Sequence, residues 1–274
     1  MEQVVSGEQV LFGIILAVLI AVLAWRVGAL AGSGAWAAAI LGSFIIGLGG
    51  LPWATLLLTF FISSSALSKL FAQRKAQLAE KFAKGSRRDW GQVFANGGVG
   101  IFLVLVQLLY PDKLWPWLAY AGAMATVNGD TWATELGVLS PILPRLITTG
   151  RVVERGTSGG VTLAGSAATL GGAALIGLAG WSFTPQLNWL ATAGVVALSG
   201  FVGAFIDSLL GASVQAIYYD PVRLKETERR VELEDGRPAK PVRGWDWMNN
   251  DMVNFLSSIF GAVMAVGLWN LINY

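Results

Sequence analysis

The chain has 274 residues, 54% of them hydrophobic and only 13% charged, with 34 glycines and a mean hydropathy of +0.59. Soluble domains carry about 25% charged residues, so the composition excludes a soluble fold and indicates an all-α, polytopic membrane bundle over residues 1–274. A formal charge of +2 says little before the charges are placed, while the absence of cysteine and histidine removes disulfide, thiolate and imidazole chemistry.

A span takes about 20 apolar residues, fewer where it is buried among others. In chain order the apolar runs predict about eight spans, over residues 10–30, 34–50, 51–66, 94–110, 114–140, 160–180, 188–217 and 252–274. No basic segment precedes the first run and no small-residue cleavage site is convincing, so it reads as an uncleaved span. Gly28 and Gly32 form a G-x-x-x-G pair of the kind that packs helices. Between 34 and 66, Gly49, Gly50 and Pro52 mark either a tight turn between two short spans or a break in one long element.

Seventeen of the 19 Lys and Arg fall into three groups: Lys69, Arg74, Lys75, Lys81, Lys84, Arg87 and Arg88; then Arg145, Arg151 and Arg155; then Arg223, Lys225, Arg229, Arg230, Arg237, Lys240 and Arg243. Counting spans from an outside N-terminus puts all three groups on one side, which the positive-inside rule makes cytoplasmic. Residues 67–92 and 218–251 are then cytoplasmic polar segments of a multi-pass protein of the cell (inner) membrane. The stretch from Lys69 to Lys84 reads as a basic helix facing solvent or anionic lipid. The mixed-charge stretch 218–243 reads as a mobile loop in which nothing requires catalysis. Trp115, Trp117, Trp181 and Trp189 flank the opposite connections, as an interfacial aromatic belt does.

Five polar clusters lie near the cytoplasmic ends of the spans. They are Ser63 to Ser68 with Asp89 to Gly98, Asn128 to Glu135, Arg145 to Gly160, Asp207-Ser208 with Gly211 and Gln215, and Asn249 to Asn254 with Ser257 and Ser258. Charge at membrane depth is costly, so acids there are candidates for function. Asp130, Glu135, Asp207 and Asp251 offer hard oxygen ligands of the type magnesium takes, usually one or two carboxylates with water and substrate phosphate. Asn128, Asn250 and Asn254 add carbonyl oxygens or orient the ligands. On a continuous helix Asp130 and Glu135 point about 140° apart. Asp130 is therefore the expected ligand, and Glu135 an alternate one that shares its face only if Gly129 breaks the helix. Arg155-Gly-Thr-Ser-Gly-Gly160 has the ingredients of a phosphate cradle: glycines that turn N–H groups toward an anion, a following helix N-terminus and an adjacent arginine. The same turn also suits close packing of a span, and the chain contains no Walker A motif.

The runs Ser65-Ala-Leu-Ser-Lys69, Trp90-Gly-Gln-Val-Phe-Ala-Asn-Gly-Gly-Val99, Gly129-Asp-Thr-Trp-Ala-Thr-Glu-Leu-Gly137, Gly156-Thr-Ser-Gly-Gly-Val161, Asp207-Ser-Leu-Leu-Gly-Ala212 and Asn249-Asn-Asp-Met-Val-Asn254 resemble those of the phytyl-phosphate kinase family. This multi-pass family was long catalogued without a function, and the resemblance extends over about residues 10–274 in the same order. A looser likeness, over residues 130–160 and Asp207, is to membrane cytidylyltransferases and polyprenol kinases that use CTP.

The resemblance implies transfer of a phosphoryl group from CTP or another nucleoside triphosphate to an isoprenyl monophosphate, phytyl or geranylgeranyl, with magnesium at a cytoplasmic-side site. In that reading Asp130 and Asp207 hold metal, and Asp251, Asn250 and Asn254 complete the metal or nucleotide shell. Lys69, Arg155 and the turn of Gly156, Thr157, Ser158, Gly159 and Gly160 hold phosphates, and Asn96, Gly97 and Gly98 join the nucleotide contacts. Such a reaction rests on positioning and charge neutralisation, and a largely ionised monophosphate requires no strong base, so the missing histidine fits. The expected partners are the isoprenyl phosphate, the nucleotide and membrane lipids, with no nucleic acid. A CTP-dependent cytidylyltransferase or polyprenol kinase is one alternative, and an ion-coupled transporter another.

Overall fold

The computed structural model describes residues 5–72, 85, 87–221, 224–230 and 239–273. Among these, seven helices carry the fold: α1 Gly7–Arg26, α2 Gly32–Leu70, α3 Trp90–Leu109, α4 Trp115–Gly137, α5 Leu163–Trp181, α6 Trp189–Ser213 and α7 Asn250–Asn273. Two small antiparallel pairs lie between helices: β1 Arg145–Leu146 with β2 Gly160–Val161, and β3 Tyr218–Asp220 with β4 Lys225–Thr227. Most of the basic helix expected from Lys69 to Lys84 lies outside the described residues, as do Arg223 and Arg237.

The helices start where local chemistry satisfies their first N–H groups. Ser6 accepts from Gln9, Asp89 and Gln92 form a reciprocal capping box, Thr162 accepts from Gly165, and Asn188 accepts from Leu190 and Ala191. Six of the seven, all except α4, are long and apolar enough to cross a membrane. α1 accordingly turns Leu11, Phe12, Ile15, Val18 and Leu19 outward, which in water would be a liability and in lipid is a match.

At 39 residues α2 would run about 58 Å if straight, far beyond the ~30 Å apolar core of a bilayer. It does not run straight. Gly50 has φ 68° and ψ −159°, in the left-handed half of the map that side chains avoid, and there the helix folds back on itself. Beyond the corner, Ala54 packs with Ala17 and Ile46, and Phe61 packs on the cluster of Ala24, Ala29 and Leu30, on which Ala35 and Ala38 of the first limb also pack. The two limbs therefore lie side by side, which favours a tight turn over one long span in the 34–66 stretch.

α4 is the hub. Its residues from Pro116 to Gly129 are all buried, enclosed by α2, α3, α5, α6 and α7. Close approach depends on small residues: a methyl at Gly122 would fall on the Gly261 carbonyl and Ala265 of α7, and one at Gly203 of α6 or Gly261 would fall on Thr126. At the other end of the hub Trp53 stacks on Tyr120 with centroids 4.4 Å apart, and the Tyr120 hydroxyl donates to the Trp53 carbonyl at 2.9 Å. Trp117 meets Trp53 edge-on at 5.7 Å and is buried, so it belongs to the core and not to the expected belt. Trp115 and Trp189 are exposed beside the connections of that end, in keeping with the belt.

The basic groups gather at one end of the bundle. The Arg88 backbone pairs with Ala29 and Ala31, which ties the α1–α2 connection to the α2–α3 connection, and Arg26 closes α1 at this same end. The 138–162 connection and the segment after α6 also belong here, because the 156–160 turn packs on the end of α6. The Gly50 corner and the 110–114 and 182–188 connections form the far end.

Two outcomes follow. Gly122→Val is expected to lower the thermal midpoint of the detergent-purified protein, with overpacking worth about 1–3 kcal/mol; an unchanged midpoint would refute the close α4–α7 contact. Because the chain has no cysteine, single cysteines at Thr149 and Gln186, both exposed, should react with an impermeant thiol reagent from opposite sides of a sealed membrane. Labelling of both from one side would overturn the topology.

Candidate functional site

The polar ends of α2, α3, α4, α6 and α7 enclose a cavity of about 780 Å³ at the basic end of the bundle. The clusters read from the sequence meet there. Its walls include Ser68, Arg88 and Asn96 on one side, Asp130 and Glu135 from α4, the 155–160 turn, Asp207 from α6, and Asn250, Asp251 and Asn254 from α7.

Asp207 is held by the Ser257 hydroxyl, which donates to it at 2.9 Å, and Asn254 donates to Asn96 at 3.3 Å. These two bonds stitch α7 to α6 and to α3, so three elements fix this wall of the cavity. Asp207 lies near enough to Asp130 and to Glu228 for their charges to act on one another. Glu228 follows β4, within the stretch expected to be a loop without catalytic demand. Part of that stretch, residues 222–223 and 231–238, lies outside the described residues. The described part is anchored: Ile217 pairs with Val242 and Arg243, Ala216 donates to Met248, and Gln215 donates its side-chain amide to Glu228 at 2.9 Å. No feature of the sequence singles out Glu228 among the neighbouring charges.

The Gly-rich turn is built as much for packing as for binding. Gly156 and Gly159 have φ of 79° and 81°, and a methyl at Gly159 would strike Ala212 of α6. Ser158 donates to Gln215 at 2.7 Å, joining the turn to Glu228 through one buried amide. Thr157 and Gly160 spend their N–H groups inside the turn, so an anion would meet only part of the expected cradle. Arg155 lines the cavity, yet one of its terminal nitrogens donates to the Ser140 and Pro141 carbonyls at 2.9 and 3.1 Å. It closes its own loop as well as facing the cavity.

Four candidates lie elsewhere. Asn128 is fully buried, accepts from Ser63 at 2.9 Å and donates to the Gly172 carbonyl at 2.8 Å, so it links α2, α4 and α5 and lies outside the cavity lining. Gly97 exists for contact with Leu41, and Gly98 faces Phe255. Lys69 is exposed and outside the cavity lining, where its neighbour Ser68 stands instead. Glu135 remains on an unbroken helix and turns from Asp130 toward Ser68, which donates to it at 2.6 Å. Among the described residues no three acidic side chains form a ready metal cluster.

Arg88 is the cation on this wall that the sequence did not single out, being one of seven basic residues in its segment. Its guanidinium donates to Ser64 at 2.8 Å and Ser65 at 3.4 Å and lies over the Phe60 and Phe61 rings at 5.1 and 5.5 Å. Burial lowers its pKa to about 10, while Glu135 pulls the other way. It stays charged at neutral pH. A second, more open cavity of about 1020 Å³ lies across the 155–158 turn, with Leu143, Val152, Tyr219 and Arg243 among its walls.

Comparison with known proteins agrees with this architecture. The family described as integral membrane protein DUF92 matches residues 15–262. Protein PGR of Arabidopsis thaliana is 34% identical over 238 residues, covering 79% of this chain and 81% of that protein. An uncharacterized membrane protein of Methanocaldococcus jannaschii is 32% identical over 227 residues, 83% of this chain and 80% of that one. Protein VTE6, chloroplastic, of Arabidopsis thaliana is 27% identical over 242 residues, which is 86% of this chain but 64% of that longer protein. No solved structure matches the chain at a significant level.

The Ser158–Gln215–Glu228 connection generates a test. Gln215→Leu leaves polar groups on both neighbours without their partner, at about 1–3 kcal/mol for each one buried. The variant should melt earlier and be cut faster by trypsin at Arg151 or Arg155, and wild-type cleavage rates would disprove the coupling.

Proposed function

This chain belongs to the integral membrane protein family DUF92, and from that premise we propose that its cavity transfers a phosphoryl group from a CTP-type nucleoside triphosphate to an isoprenyl monophosphate. The observation that carries this reading is the meeting of Asp130 and Asp207, from two central helices, with Arg155, the Gly156–Gly160 turn and Arg88 around one cavity. Carboxylates alone would suit an ion path. Carboxylates facing arginines and a glycine turn suit a polyanion with its counter-ion. The cavity also opens at one end of the bundle, whereas transporters commonly bind near mid-membrane on broken helices, and α4 is unbroken at Asp130.

In the proposed reaction an oxygen of the lipid monophosphate attacks the terminal phosphorus of the nucleotide. The bond from that phosphorus to its bridging oxygen breaks, giving an isoprenyl diphosphate and a nucleoside diphosphate. The chain supplies position and charge, which is most of what such a transfer needs. Arg155 and Arg229 on the cavity wall would face the donor phosphates, with Arg230 beside them paired to Asp246 at 3.0 Å, the 156–160 turn would limit the approach of those phosphates, and Asn96, Asn250 and Asn254 offer neutral polar contacts. The second cavity gives the nucleoside room on the other side of the turn.

Magnesium fits the donor set, since Asp130 and Asp207 are hard oxygen ligands and magnesium typically takes one or two carboxylates with the substrate phosphates. When bound, it would neutralise developing charge on the phosphate oxygens. Ser257 keeps Asp207 oriented, and Asp251 borders the same space. The described members of the three basic groups stand at the cavity end; by the positive-inside rule that end would face the cytoplasm, and the nucleotide would be drawn from there.

Purified protein with magnesium and CTP should convert geranylgeranyl or phytyl monophosphate to the diphosphate. Asp130→Asn and Asp207→Asn should each lower turnover by at least about a hundredfold, the scale of one lost charged contact in a transition state. Their melting points should hold or rise, because each change relieves repulsion with Glu228. Folded wild type that turns over no isoprenyl phosphate with any nucleotide would refute the reading, and CMP left on the lipid would mark a cytidylyltransferase instead.

A further inference from the structure

Two phosphate-bearing reactants in one cavity need two cationic anchors, or the first to arrive blocks the second. The Gly-rich turn and Arg155 pack against α6 and the loop of residues 140–155. Arg88 stands on the wall made by α2, α3 and α4, with Ser68, Asn96 and Glu135 as neighbours in the cavity lining. Its two serine partners are neutral, and among the described residues no carboxylate comes within ion-pair distance of it. A half-buried cation compensated only by hydroxyls, two ring faces and a carboxylate at longer range is costly, and a bound anion would repay that cost.

The surroundings indicate which anion. Arg88 bonds to the last turns of α2 and just precedes α3, and on these two helices Ile62, Leu70 and Trp90 are exposed apolar side chains. A phosphate reaching Arg88 from this side can keep a hydrocarbon tail on that apolar surface. A nucleotide would have to bring a polar nucleoside there.

Resting on the kinase reading of the cavity, we infer that Arg88 anchors the phosphate of the lipid acceptor, while the Arg155 turn serves the nucleotide. Glu135 opposes this anchor, because its negative charge acts on Arg88 and faces the same incoming anion. Ser64 and Ser65 hold the guanidinium in place, and the Ser68 hydroxyl fixes Glu135.

The test measures binding to the full-length protein in detergent, without turnover, using geranylgeranyl monophosphate, CTP and inorganic phosphate as separate probes. Arg88→Gln should weaken geranylgeranyl monophosphate by at least about tenfold, the scale of one lost charge-assisted contact, and leave CTP within about twofold, with Arg88→Lys between the two. Glu135→Gln should tighten the lipid phosphate by a few fold, an effect of opposite sign that decides the matter if Arg88→Gln does not fold. An equal loss for CTP, an unchanged lipid affinity in both variants, or inorganic phosphate competing as well as the lipid would overturn the inference. Arg88-dependent lipid binding without turnover would sink the kinase reading alone. Turnover with an unaltered KM for the lipid in Arg88→Gln would sink this inference alone.

Discussion

Everything in this molecule depends on keeping the polar end of α4 out of hydrocarbon. A helix carrying Asn128, Asp130 and Glu135 cannot face lipid without a penalty of several kcal/mol, so other helices must surround it. They do so at close range because glycines at 122, 203 and 261 let backbones meet around Thr126. Toward the basic end the same helices enclose the cavity. Site and scaffold are thus one arrangement: helices whose glycines bury the hub also carry Asp130 and Asp207 to the cavity wall.

The broad architecture was legible because lipid imposes a simple rule. Runs of about 20 apolar residues and a one-sided distribution of Lys and Arg follow directly from the cost of burying charge, and the helix bounds lie within a few residues of those runs. The Gly50 corner was legible only as an ambiguity, since Gly-Gly-x-Pro permits both a kink and a reversal; the packing of Phe61 from one limb and Ala35 and Ala38 from the other on one cluster decides it. Trp117 was misplaced for the opposite reason. Tryptophan suits both interface and core, and only the stack of Trp53 on Tyr120 shows that this end of the hub is closed by aromatic packing.

For the site, the sequence identified polar residues that had no business in a span, and Asp130, Asp207, Asn254 and the 155–160 turn indeed converge. It could not distinguish a polar residue that faces a cavity from one that joins helices. Asn128 and Asp130 are two positions apart, yet one is bonded to Ser63 and Gly172 across helices and the other lines the cavity. Glu228 and Arg88 were hidden among other charges, where composition carries no information about direction. Both become apparent only when tertiary bonds are known: Gln215 for the first, Ser64 and Ser65 for the second.

The Asn128 amide has a consequence for motion. With its oxygen held by α2 and its nitrogen by α5, it acts as a pin through three helices. Sliding α4 along its axis would pull both bonds apart at once, which is costly for a buried amide. The amide therefore fixes one axial register of α4 against α2 and α5, a frame that resists sliding.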